Sequence, residues 1–329
     1  AIIDGEGVRV PVTLDSYEFG MVGSYCAIEG IVARNSVGAV YMIGQDHNVL
    51  RRVSSYNANT DENAHVFTIT ANHTLLEDCV AAGTGRKMIM IYGADQEHGN
   101  HNIIRRCFAD WQAWDGRNFC EAWPWGDNIQ IYNGSNNIIE NSIGYGAVPF
   151  WSISVQANDP AAQAVGNQVL GSMAINAGMA APATPSDWGN QRPGPTACTQ
   201  LRDFNWPGQR AGFAVFGPGE LHHTLFRDVL AWGNAGSGLA ALNILQDRYA
   251  PVLLDHATIF NNGLDARPTD GEPGRDVTWN QLARYKVSNS WIEGTTHTGA
   301  GARLRHRYVD GTLTTQPLWP WPMEARIQA

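Results

Sequence analysis

The chain repeats one short pattern of apolar and polar positions. Two adjacent apolar residues are followed by two polar ones, then a small residue. The clearest copies are His47-Asn48-Val49-Leu50-Arg51-Arg52-Val53, His73-Thr74-Leu75-Leu76-Glu77-Asp78-Cys79, His101-Asn102-Ile103-Ile104-Arg105-Arg106-Cys107 and Asn136-Asn137-Ile138-Ile139-Glu140-Asn141-Ser142. Fainter copies begin at Ala27, Val169, Leu225, Leu253 and Lys286. From Ala27 the leading position recurs at Val49, Leu75, Ile103 and Ile138, steps of 22, 26, 28 and 35 residues. A Gly or Asn stands a few residues after most copies, as at Asn57, Gly83, Gly146, Gly233, Asn261 and Gly294. These residues tolerate the left-handed conformations that a sharp corner needs. A second short strand follows in most repeats, at 65–70, 88–92, 128–132, 151–155, 213–216 and 239–242. Several alternate cleanly, as in Ser152-Ile153-Ser154-Val155, the mark of a half-buried strand. No segment carries a sustained helical stripe.

A period in this range predicts a solenoid. The expected fold is all-β: a parallel β-helix of about nine coils over residues 1–313. Two loop insertions interrupt it, at 111–127 and 179–210, and a Pro/Trp-rich segment, 314–329, ends the chain. A solenoid of this kind is a scaffold, so function is expected in its outward columns and inserted loops.

Stacked coils bring equivalent positions about 4.8 Å apart, so columns can be read down the stack. The third position reads Glu29, Arg51, Glu77, Arg105, Glu140, then Gly171, Arg227 and Asp255. Opposite charges on adjacent strands attract and like charges repel, so this column predicts a structural ladder that fixes coil order. Another column reads His47, His73, His101, Asn136, Asn167 and His223. A metal needs converging ligands, and a straight column converges badly, so a hydrogen-bonded turn ladder is expected. Cys79 and Cys107 share a position in consecutive coils. Their spacing suits a disulfide, but small buried thiols also stack unbridged, and free thiols are expected.

Composition narrows the function classes. The net charge is −9, and the one basic cluster is Arg303-Leu304-Arg305-His306-Arg307, so nucleic acid is not an expected partner. Two of the 22 cationic residues are lysines, Lys87 and Lys286. No apolar run reaches membrane-span length. Five cysteines without a CxxC pair argue against zinc and redox motifs. Asn72-His73-Thr74 and Asn133-Gly134-Ser135 fit the glycosylation pattern.

The departures from the repeat draw attention. The insertion between Asp110 and Asp127 carries Trp111, Trp114, Trp123 and Trp125 with Asp115, Arg117 and Glu121. Indole plates flanked by carboxylates and guanidinium suit a sugar: the ring stacks and the charged groups meet hydroxyls. These seven residues are the expected carbohydrate-binding site, against the alternative that they pack over the wall as a satellite core. Residues 179–210 hold Trp188, Trp206, Asp187, Arg192, Arg202 and Asp203, and could converge with the first insertion if both leave the same edge.

The runs NNIIENSIGYG and HNIIRRCFADW resemble coils of the right-handed parallel β-helix superfamily, the pectate-lyase-like proteins. The resemblance implies a secreted or cell-surface protein that binds, cleaves or displays polysaccharide. Fold alone does not give function. Polygalacturonase-type hydrolases carry Asn-Thr-Asp, Asp-Asp, His-Gly and Arg-x-Lys. Here Asn59-Thr60-Asp61, His98-Gly99 and Arg284-Tyr285-Lys286 match in pieces, but Gly85-Arg86-Lys87-Met88 stands where the Asp-Asp belongs. Lyases of this fold use a basic residue, often beside calcium. Asp95, Glu97, His98 and His101 form the nearest acid cluster, and Arg303, Arg305 and Arg307 could face a uronate. No catalytic set is complete. The expected function is therefore an extracellular structural or carbohydrate-binding protein. The alternatives are a polysaccharide lyase or glycoside hydrolase, and a self-assembling filament subunit. The expected partner is a glycan, with calcium a possible cofactor and no metal site assigned. End-to-end self-association or a longer parent chain would cover the open ends.

Overall fold

A computed structural model describes residues 1–4, 17–21, 23–36, 39–58, 65–83, 85–93, 95, 97–111, 127–147, 151–177, 211–234, 236–242, 252–260, 262, 285–295, 303–309 and 312–313. The chain is a parallel β-helix. Among the described residues, three sheets run its length with 12, 8 and 9 strands, called here A, B and C. Each coil contributes one strand to C, then A, then B. The third coil, for example, supplies Leu75–Glu77, Val80–Gly83 and Lys87–Tyr92. At the C-terminal end Arg303–Val309 runs antiparallel to Trp291–Thr295, so parallel stacking stops at that edge of sheet A.

The repeat distinguishes two strands per coil, and the structure has three. The strands of sheet A escape the pattern because the residue each points inward is usually small: Ala33, Ser55, Ala81, Ala109, Gly144, Ala174 and Ala231, with Ile3, Ile259 and Ile292 at the two ends the exceptions. The core is filled from the other two sheets. Sheet C supplies Leu50, Leu76, Ile104, Ile139, Val169 and Phe226, and sheet B supplies Phe67, Ile69, Ile89, Ile91, Ile129 and Ile131, all fully buried.

The charge column forms as expected over the first five coils: Glu29, Arg51, Glu77, Arg105 and Glu140 stand opposite one another in register. Glu77 is its hub. Its carboxylate accepts from Arg51 at 2.5 Å, Arg105 at 2.6 Å and Arg106 at 2.5 Å, and Arg52 pairs with Glu29. The sixth coil corrects the sequence alignment by one residue: Gln168, not Val169, lies opposite Ile138, so Leu170 and not Gly171 continues the charge column. The apolar pair is Val169-Leu170 by type, but Asn167 takes the corner position that fixes register.

That corner holds an interior asparagine ladder. The Asn102 side chain accepts the Thr74 N–H at 2.8 Å and donates to the Ala71 carbonyl at 2.9 Å. Asn137 accepts from the Asn102 N–H and donates to the Gly99 carbonyl. Asn167 accepts from the Asn137 N–H and donates to the Gly134 carbonyl. Buried backbone groups at each turn are thus satisfied by the next coil's amide. One residue earlier, outside, Tyr25, His47, His73 and His101 form a continuous exposed ring stack with centroids 4.7, 4.8 and 5.0 Å apart. All four have positive φ, from 55 to 62°. Gly166, not Asn167, follows Asn136 in that column, because the sixth coil is shifted.

Cys79 and Cys107 are free and buried. Each thiol donates to backbone carbonyls, Cys79 to Glu77 at 3.2 Å and Cys107 to Arg105 at 3.4 Å. The Asn72 amide is consumed in its own ladder: Nδ2 donates to the Glu97 carbonyl and Oδ1 accepts the Asn100 N–H. A glycan on Asn72 would have to break that ladder. No helix among the described residues is long and apolar enough to cross a membrane.

Both ladders leave a mark on stability. Replacing Asn102 by Leu removes the partners of a buried N–H and a buried carbonyl. Each orphaned group costs about 1–3 kcal/mol, so denaturant titration should show a loss of about 2–6 kcal/mol. The second concerns acid. The hydrogen bond from Arg51, with those from Arg106 and Arg105, holds the Glu77 carboxyl at about 2 against an ordinary 4.5. The unfolded chain therefore takes up this proton first. The stabilisation is complete above pH 4.5 and is lost as pH falls towards 2. A Glu77→Gln variant should show a flatter stability profile than the parent across that window; parallel profiles would remove Glu77 as the hub.

Candidate active site on the outer face of sheet B

A parallel-sheet strand covered on both faces reads as a run of buried residues, and sheet B behaves this way. His65–Ile69, Asp127–Gln130, Ile153–Gln156 and Phe213–Phe216 are buried at every position. The inward face is the apolar core. The outward face changes character along the axis. Towards the C-terminus it is apolar, with Trp151, Ala211, Ala214, Phe216 and Ala240 forming their own cluster. Towards the N-terminus it is ionisable. His65, Lys87 and Asp127 stand side by side in three consecutive strands, and Gln130, Tyr132, Ser154 and Gln156 surround them.

Lys87 is 2% exposed and Asp127 is 1% exposed. The Asp127 carboxylate is gripped by the sheet: Ser154 Oγ donates to it at 2.9 Å, the Trp151 N–H at 3.3 Å and Gln156 Nε2 at 3.4 Å, and Gln130 Nε2 also donates. Burial pushes the Asp127 carboxyl upwards, opposed first by Lys87 and then by the Ser154 hydrogen bond. The Lys87 ammonium lies 5.3 Å from the centre of the Tyr132 ring. Burial lowers Lys87 to about 7, with Asp127 pulling the other way and Arg86 adding to the fall. Burial likewise holds His65 well below the ordinary histidine range, reinforced by Lys87 and Arg86. Burial raises the Tyr132 phenol, so it stays protonated. Among the described residues, His65 Nδ1 and Gln130 Oε1 are buried without a hydrogen-bond partner.

Chemically the arrangement offers an amine that is largely deprotonated just above neutral pH, a guanidinium beside it, and a phenol able to give a proton. A base tuned near the working pH is what proton abstraction requires. Strongly shifted groups gathered at one place are candidates for function.

The Trp-rich insertion is rooted here. Its first residue, Trp111, is 5% exposed; its indole N–H donates to the Gly85 carbonyl at 2.8 Å, and its backbone N–H donates to Asn128 at 3.1 Å. Trp111 is therefore a wall residue whose ring is closed to a sugar, a correction to its expected role as an open plate. Its indole is needed to satisfy the turn that leads into Arg86 and Lys87. Trp114, Asp115, Arg117, Glu121, Trp123 and Trp125 lie outside the described residues, as does 179–210. Their roots do bear on convergence. Both insertions leave the same edge, between sheets A and B. One lies between Phe108–Trp111 and Asp127–Tyr132; the other lies between Met173–Ile175 and Phe213–Phe216.

The other sequence candidates disperse. Asp95 Oδ1 accepts from the His98 ring and from the Glu97 and His98 N–H groups, closing its own turn. Among the described residues no three His, Cys, Asp or Glu side chains come together to hold a metal. Asn59-Thr60-Asp61 and Arg284 lie outside the described residues. Sequence reading missed Lys87 and Asp127 altogether. In the sequence Lys87 stands out only as one of two lysines and as an interruption of a hydrolase motif, and Asp127 only as the end of an insertion. Their one advance signal was the rarity of lysine in a chain rich in arginine.

No family model and no curated protein matches the chain. Among solved structures it is similar to the A-module of mannuronan C-5 epimerase AlgE4 from Azotobacter vinelandii, with 14% identity and a TM-score of 0.45, over 75% of this chain and 55% of that one. The chain thus spans about half the length of that structure, and at this identity the likeness concerns the fold.

The site predicts its own titration. Above pH 7 the folded chain has released the Lys87 proton that the unfolded chain keeps up to about 10.5. The unfolded state then binds more protons, so stability should rise with pH across that window. A Lys87→Met variant should lack this rise. Equal slopes for parent and variant would show that Lys87 titrates normally.

Proposed function

We propose that this protein holds an anionic polysaccharide against the outer face of sheet B and acts on it by proton transfer at Lys87. The observation that carries the reading is the burial of Lys87, Asp127 and His65 together, beside the half-buried Arg86, at the root of an insertion rich in tryptophan. Lys87 Nζ takes the proton from the carbon beside a uronate carboxylate. The electron pair of that C–H bond moves towards the carboxylate, whose added charge faces Arg86. Departure of the neighbouring glycosidic oxygen, with a proton from the Tyr132 hydroxyl, completes an elimination. Return of a proton to the opposite face of the carbon gives an epimer instead. Asp127 orients the amine and offsets its charge when the proton is held. The setting is extracellular, where such polymers occur.

A second reading has its own support. Four donors closed on Asp127, with the buried Lys87 amine in the neighbouring strand, also describe a polar anchor for the insertion of a structural or carbohydrate-binding protein. One experiment separates the two. The full chain is incubated in deuterated water with oligogalacturonate and with oligomannuronate. Proton–deuteron exchange beside the carboxylate is followed by NMR, and unsaturated ends by absorbance. The proposal expects exchange or cleavage with one of them, reduced by about a hundredfold or more in Lys87→Met. No exchange with either polymer, or undiminished turnover in the variant, would leave the anchoring reading in its place.

A further inference from the structure

Sheet A has an outer face that the proposed chemistry does not use. Among the described residues, five large apolar side chains are markedly exposed, and three lie there in consecutive strands: Tyr145 at 40%, Met173 at 38% and Trp232 at 40%. Register places Tyr145, Ile175, Trp232 and Phe260 in one row along the axis. The Trp232 and Phe260 rings stack 6.5 Å apart. Asp110 precedes Tyr145 in the same row, and Asn176 Nδ2 donates to the Tyr145 hydroxyl at 3.2 Å.

Two features select the occupant. The first is charge. From Phe108–Trp111 to Thr258–Phe260, the five strands of this face carry one charged residue, Asp110. An anionic membrane or a nucleic acid is held through its phosphates and would need cations here, whereas a uronate can turn its carboxylate to solvent and rest on its ring face. A sugar ring needs an apolar plate with a few polar groups at its edge, and the row supplies both. The second is continuity. From Tyr145 to Phe260 the row is made of the last residues of its strands, at the A–B edge from which both insertions leave. Asp110 is joined directly to Trp111, whose indole closes the turn before Lys87. A polymer reaching the buried site from this edge would pass along the row.

We infer that Tyr145 and Trp232 are stacking plates of an extended binding strip, which holds the uncleaved part of a polysaccharide chain beside the site on sheet B. The two plates are two strand spacings apart, about 9.6 Å, so they engage sugars that are not neighbours, and only an oligomer can span both. This inference rests on the proposed function, but its test can fail separately. Binding of uronate dimers and hexamers is measured by calorimetry, with oligogalacturonate, oligomannuronate and a neutral cello-oligosaccharide, for the parent, Tyr145→Ala, Trp232→Ala and Lys87→Met. A cooperative melt recorded for each variant shows that the fold is kept, and Tyr145→Phe and Trp232→Phe, which keep a ring, should retain most of the hexamer affinity. The strip predicts that each aromatic variant loses about tenfold in hexamer affinity and little in dimer affinity. Lys87→Met should lose turnover and keep hexamer binding. Unchanged hexamer affinity in both aromatic variants would overturn the strip while leaving the Lys87 chemistry standing. A parent dimer that dissociates in Trp232→Ala would overturn it too, assigning the face to a second copy of the chain. A parent that binds none of the probes would remove both proposals.

Discussion

Every coil of this molecule must meet the next one position for position, about 4.8 Å away, and this constraint governs the rest. A buried polar atom on one coil is acceptable only if its counterpart on the next can satisfy it. The asparagines at 102, 137 and 167 do so by lending each amide to the neighbouring backbone. The charge column does so outside, by alternating sign around Glu77. Apolar pairs do so inside, by stacking like on like. Because each device repeats at a fixed position, register is specified redundantly, and a one-residue slip would break all of them at once.

The same constraint makes the outer face of sheet B unusual. There the column reads His65, Lys87, Asp127 and Trp151, with no repetition and no ladder. Burying an amine and a carboxylate costs free energy that neighbours must offset. The sheet offsets it for Asp127 with four donors, while Lys87 is left with a lowered affinity for its proton. A departure from the repeating logic, at strands where insertions enter, is where natural sequences accept a local cost for function.

The fold was legible in the sequence wherever the repeat uses distinctive residues. Ile103-Ile104 and Ile138-Ile139 mark sheet C unmistakably, and Glu77 between Arg51 and Arg105 announces its own ladder. Sheet A was hidden because its inward residue is usually Ala, Ser or Gly, which carries no apolar signal. The sixth coil slipped because Gln168 occupies a position that is apolar in the coils on either side, Ile138 and Leu225, so Val169-Leu170 mimicked the pair. The site was the least legible part. Lys87 and Asp127 lie 40 positions apart in the chain and become neighbours only because an insertion separates consecutive strands. Tyr145 and Trp232 had a usable signal: each immediately precedes a corner glycine, Gly146 and Gly233, with φ of 69 and 68°. Alignment on those glycines brings the two rings into one row.

Under the proposed function, the buried ionisable face of sheet B receives a glycan. A crystal structure of the chain with a bound uronate hexamer tests this most directly. One carboxylate of the hexamer should lie against Arg86, with the adjacent ring carbon within reach of Lys87 Nζ. A hexamer bound elsewhere, with Lys87 and Asp127 still sealed from it, would contradict the account and leave the pair as an anchor of the fold.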